Sequence, residues 1–148
     1  MLLHPFFLLL LFCFFIKSEI YFRSNDMSKS KASFDTAIAQ DFSVLGLSGR
    51  LPAYMADSRV VYNNSLERIM EQKWITMFQS AYESRVDWRR TGFLVFTTIP
   101  SFNTTGNTIP RRLSYPQIEI NVNTSSLQNG PGIPVPFESL KTKVWWDQ

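Results

Sequence analysis

The stretch FFIKSEIYFRSNDMSKSKASFDTAIAQDF, residues 14–42, reads as two helical segments parted by Ser24, Asn25 and Asp26. On the first, Ser18, Tyr21 and Phe22 share a face. On the second, Ser30, Phe34, Ala37 and Ile38 fall at i, i+4, i+7 and i+8, while Ala32 lies to the side. Asn25 stands where the chain must reverse, and Asn enters the left-handed region more readily than most side chains. Small residues at Ser18, Ser30 and Ala37 let two helices approach closely, with Tyr21 and Phe34 filling the gap beside them. This hairpin decides the fold class, which is mainly α.

The hairpin resembles a single tetratricopeptide-type unit, with Asn25-Asp26 standing where that motif commonly carries Gly-Asp. One such unit cannot bury its own face and needs neighbours, yet no second copy occurs in the sequence. Upstream, MLLHPFFLLLLFCFFIK has no Lys, Arg, Asp or Glu before Lys17. A secretory signal calls for a basic start and a small-residue cleavage site. A membrane span needs about 20 apolar residues, and Pro5–Ile16 is shorter. Leu11 and Phe12 before Cys13 are bulkier than lipoprotein processing accepts. A signal, an anchor and a buried helix are all readings of residues 1–16. The buried helix is preferred, because Phe14 and Phe15 would be the hairpin's opening turn and cleavage would cut into a structural unit.

The 148 residues suffice for one domain with a real core. With 45% hydrophobic and 18% charged residues the composition is that of a folded chain. The net charge of +3 comes from scattered Lys and Arg, without the basic stripe of a nucleic-acid binder. One Cys excludes an internal disulfide, and one Cys with one His makes a poor zinc site.

Downstream, SVLGLSGRLPAYMADSRVVYNN (43–64) is a connector. It leads to a long amphipathic helix predicted over 64–91, with Asn64 as cap and Glu67 three residues on. Its apolar stripe runs through Leu66, Ile69, Met70, Trp74, Met77, Phe78, Ala81, Tyr82 and Val86. Arg89 and Arg90 suit the last turn and Gly92 ends it. Arg85 falls inside the stripe, so its stem is expected to lie on the apolar face with its head in solvent or on a carboxylate. The tail, 92–148, is rich in Pro, Asn and Thr and reads as irregular, with QIEINVN (117–123) as a short strand and at most a strand pair. The chain is thus expected to be a single partial domain over 1–148: an apolar run 1–13, the hairpin 14–42, the long helix 64–91 and the tail.

Chemistry finds little purchase. Cys13 sits in an apolar run with His4 nine residues away, no setting for a reactive thiol. There is no Gly-rich phosphate loop, so no enzyme, cofactor, catalytic or metal site is expected, and the ligand-binding residues stay unknown. Glu83 and Asp87 lie four apart on one helix face. They are expected to pair with Arg89, Arg90 or another nearby base rather than with a cation. Asp87, Arg89 and Arg90 are expected to tie the helix end to the tail through planar guanidinium contacts. Tyr115, Trp145 and Trp146 could stack on sugar rings, but packing is the preferred role. Asn63, Asn103 and Asn123 each begin an N-x-S/T triplet, which arises freely in an Asn/Thr-rich chain.

ERIMEQKWITMF (67–78), DWRRTGF (87–93), IPRRLSYPQIEINVN (109–123) and the closing VWWD (144–147) come in the order of the C-terminal end of SusD/RagB-type nutrient-binding outer-membrane lipoproteins, which this chain resembles over about 14–148. The resemblance implies the C-terminal piece of a longer surface lipoprotein. Such a protein holds oligosaccharides or peptides over a SusC-like TonB-dependent transporter, with most ligand contacts made upstream of the part seen here. The family carries Trp where this chain has Arg85, and Pro where it has Leu94 and Ser114. Relaxed selection on a truncated gene is a second account of Arg85. The alternative reading of the whole is a small membrane-tethered hairpin adaptor that binds protein partners.

Overall fold

The computed structural model describes residues 5–79, 81–95, 105–133 and 139–147. These are mainly helical. The chain divides into two compact units, Met1–Asp87 and Trp88–Gln148.

The first unit opens with α1 (Pro5–Arg23) and α2 (Met27–Val44). Both end the same way. Asn25 (φ 62) follows α1, with its N–H donating to Phe22 O and the Asp26 N–H to Tyr21 O. Gly46 (φ 70) follows α2, with the Gly46 N–H donating to Ser43 O and the Leu47 N–H to Phe42 O. Each is a Schellman stop that satisfies the last carbonyls of its helix, and each needs the left-handed conformation. Asp26 then caps α2 by accepting from the Lys29 N–H. The turn is therefore only three residues, Ser24–Asp26, and the helices lie side by side.

Where they meet, Ser18 and Ser30 are fully buried and exchange hydrogen bonds. Ser18 Oγ donates to Ser30 O, and Ser30 Oγ to Ser18 O, both at 2.9 Å. Tyr62 donates its hydroxyl to Ser30 Oγ at 2.6 Å, so each of the three protons has an acceptor. Phe34 packs edge-on against Phe15 (6.1 Å between centroids) and tilted against Tyr62 (5.3 Å). The core thus surrounds a polar contact that leaves no buried hydroxyl unpaired.

A 3-10 turn (Ser48–Arg50) and α3 (Leu51–Met55) lead to α4 (Leu66–Thr76). Two expectations change here. The cap is Ser65, whose Oγ accepts from the Arg68 N–H at 3.2 Å. Asn64 is left-handed (φ 57), whereas a cap needs the extended backbone that Ser65 has. The single helix over 64–91 is instead two, α4 and α5 (Ala81–Thr91), with a 3-10 turn over Met77–Gln79 between them. Met77 leaves helical geometry (φ −82, ψ 16) one residue after the Thr76 hydroxyl turns to Asp41 of α2.

In the second unit, Gly92 (φ 73) ends α5 as expected. Leu94 is also left-handed (φ 75), which costs a side chain with a Cβ energy that Gly would not lose. QIEINV, read as a strand, is α6 (Gln117–Val122), followed by α7 (Thr124–Asn129). An alternating hexamer needs a partner strand, and none forms among the described residues. Side chains four apart close the helix instead: Gln117 donates to Asn121 Oδ1 and Asn123 to Glu119 Oε1. Among the described residues no helix is long and apolar enough to cross a membrane.

Candidate functional site

Three of the sequence motifs in the second unit converge on one carboxylate. Asp147, with a side chain at 0% exposure, accepts from Arg89 Nε at 3.3 Å through Oδ2 and from Arg111 Nη1 through Oδ1. Each guanidinium also lies on an indole, Arg89 over Trp146 at 4.2 Å and Arg111 over Trp88 at 4.1 Å. A buried anion is tolerable only when paired and hydrogen-bonded, and two planar cations supply both requirements while their flat faces cover aromatic rings. The backbone closes the same contact, because the Arg111 and Arg112 N–H groups donate to Leu140 O. Arg112 lies over Tyr115 at 4.9 Å.

On this frame Trp146 is half-buried, whereas its neighbour Trp145 is 95% exposed. Packing was expected of both, and Trp145 does not pack. Leu113, Ile118 and Val122 are exposed apolar residues of the same unit.

The first unit shows a second departure. The stripe predicted to be buried is split: Ile69, Met70 and Met77 are buried, whereas Trp74 is exposed, Phe78 is 85% exposed and Tyr82 76%. Arg85 is exposed too, so its guanidinium does not enter a core. On α4, Gln72 and Lys73 join Ile69 and Met70 on the buried side. Lys73, at 3% exposure, pairs with Asp87 at 2.6 Å and sits 4.5 Å from the centre of the Phe12 ring. Gln72 accepts the Tyr54 hydroxyl at 2.8 Å. The helix is therefore turned so that its polar Gln and Lys point inward, each matched by a partner distant in sequence. Periodicity of apolar residues alone could not reveal that. The Gln-Lys pair inside the QKW motif was the available signal.

Asp87 meets Lys73, a base fourteen residues back. Arg89 reaches the tail at Asp147. Cys13 is exposed on α1 rather than shielded. Asn63 and Asn123 are exposed, while His4 and Asn103 lie outside the described residues. No cluster of three or more His, Cys, Asp or Glu able to hold a metal occurs among the described residues.

Outside the hairpin, Trp74, Phe78, Tyr82 and Trp145 turn large aromatic side chains to solvent. The family model that matches residues 4–116 is SusD-like, described as starch-binding associating with outer membrane. The chain belongs to this SusD-like family, whose members are binding proteins of the outer membrane. No curated protein and no solved structure matches it.

Proposed function

We propose that the chain forms the C-terminal portion of a surface lipoprotein of the outer membrane. That protein captures oligosaccharides or peptides and passes them to a SusC-like TonB-dependent transporter. The observation that carries this reading is the family match. It runs from residue 4 to 116 across the hairpin, α4, α5 and the loop bearing Arg111, Arg112 and Tyr115. The exposed Trp145 beside a locked Trp146 fits the same role, since aromatic faces stack on sugar rings and apolar side chains alike.

The test is recovery of a tagged chain from its own host. Association with the outer membrane and co-purification of a TonB-dependent transporter, identified by mass spectrometry, are the expected results. A tagged chain found only in the soluble fraction, with no such transporter, overturns the proposal. Ligand sites need converging surfaces on a rigid frame. The isolated 148 residues are therefore expected to give no saturable heat with glycans or short peptides. Binding that disappears in Tyr115→Ala, Trp145→Ala or Trp146→Ala would instead place a complete site on this chain.

A further inference from the structure

One half-buried carboxylate takes no part in the clusters described above. Asp41, near the end of α2, reaches across to α4, where its Oδ2 lies within hydrogen-bond distance of Thr76 Oγ1. The same Thr76 hydroxyl is 3.1 Å from the Gln72 carbonyl one turn back. A hydroxyl has one proton, so Thr76 cannot donate to both. Two acceptors competing for one donor leave one contact without a proton, unless the carboxyl brings its own.

The surroundings favour that third state. α1 packs on α2, and its residues Pro5–Phe12 include no ionisable side chain. From α3, Tyr54 lies close: its ring stacks on Phe42 at 4.9 Å and its hydroxyl is committed to Gln72. Asp57, just past α3, is a second anion near Tyr54 and is held by Arg59. From α4, Thr76 and Gln72 are neutral, and Lys73 is occupied by Asp87 and the Phe12 ring. Burial accordingly pushes the Asp41 carboxyl up to about 6, against the smaller lowering effect of the Thr76 hydrogen bond.

We propose that Asp41 and Thr76 form a protonation-gated tie between α2 and α4. With Asp41 neutral, its O–H donates to Thr76 Oγ1 and the Thr76 proton goes to the Gln72 carbonyl, so every contact is made. When Asp41 ionises, its carboxylate claims the Thr76 proton, the bond to Gln72 is lost, and a charge stands in a poorly hydrated seam. The last turn of α4 is then held less firmly, just before the 3-10 turn that carries the exposed Phe78.

The native state binds more protons than the unfolded chain between about pH 4 and 6, so stability falls as pH rises through that window and levels off above it. A two-unit shift allows at most about a hundredfold change in the unfolding constant, and partial exposure of Asp41 reduces this to roughly tenfold. The experiment is denaturant unfolding of the full chain from pH 4.5 to 7.5, alongside carboxyl NMR of Asp41. A roughly tenfold fall in the folding constant that disappears in Asp41→Asn is expected. Subtracting that variant also cancels any contribution from His4. Thr76→Val removes the bond that lowers the Asp41 midpoint and should move it upward, whereas Thr76→Ser should restore the native profile. An Asp41 midpoint below 5, an unchanged profile in Asp41→Asn, or an unmoved midpoint in Thr76→Val overturns the proposal.

Discussion

The two units are held together by different physics. In Met1–Asp87, the hairpin and α4 share a continuous apolar core built from Phe15, Phe34, Ile38, Ile69 and Met70, with one satisfied cluster of hydroxyls at its centre. In Trp88–Gln148, few apolar side chains are buried among the described residues, and the fold gathers on Asp147 and its two arginines. The first kind of core loses stability in proportion to the volume removed. The second depends on single atoms that leave charges stranded when deleted. Substitutions in each unit should therefore fail in different ways.

The largest expected effect is in the hydrophobic core. Phe34→Ala removes a fully buried ring that touches both Phe15 and Tyr62, and should destabilise the first unit by about 3–5 kcal/mol. Denaturant midpoints measure this directly. A loss below about 1 kcal/mol would mean that the site collapses freely, which a packed core does not do.

Asp147→Ala comes next. It strands Arg89 and Arg111, each mostly buried, and breaking such a buried pair costs about 3 kcal/mol. Hydrogen exchange is the sharper measurement, because the Arg111 and Arg112 amides donate to Leu140 O and should lose protection. If those amides stay protected while α5 loosens, the carboxylate is not what gathers this unit. Asp147→Asn should fall between, since its amide oxygen still accepts one guanidinium hydrogen bond but brings no charge.

The same contrast explains what the sequence could reveal. The hairpin was legible because Ser18, Ser30, Phe34, Ala37 and Ile38 encode their face within a few turns, and Asn25 marks its reversal. That Gln72 and Lys73 are buried on α4 beside Ile69 and Met70 was not legible. It depends on Tyr54, Phe12 and Asp87, which lie 18, 61 and 14 residues from their α4 partners. Six residues alternating in polarity could not tell α6 from a strand, because the choice turned on whether a partner strand existed. In the tail, Arg89 was expected to reach across, but its acceptor lies 58 residues away and no local pattern points to it.

A smaller effect tests the polar centre of the first unit. Tyr62→Phe keeps the ring against Phe34 and deletes the hydroxyl that donates to Ser30 Oγ. The Ser30 hydroxyl still donates to Ser18 O, so no donor is orphaned, and the loss should be about 1 kcal/mol. Adding Ser30→Ala to Tyr62→Phe should cost less than the two single losses combined, because the partners share a network. Strict additivity would mean that the three hydroxyls act independently.

The smallest effect is expected at Arg85, and it separates the two pictures of α5. If the stripe of Trp74, Phe78 and Tyr82 were core, Arg85→Trp would fill it and gain roughly 1.5–3 kcal/mol from a buried aromatic. Those three side chains face solvent, and so does Arg85. A tryptophan there adds apolar surface without removing any from water, so stability should change by no more than about 0.5 kcal/mol. Its consequence should appear in solution behaviour instead. A longer exposed aromatic row favours self-association, which light scattering against concentration would detect. A gain above about 1 kcal/mol in a monomeric sample would mean that this face is covered in the folded chain, and the inward-facing side of α4 would have to be reassigned.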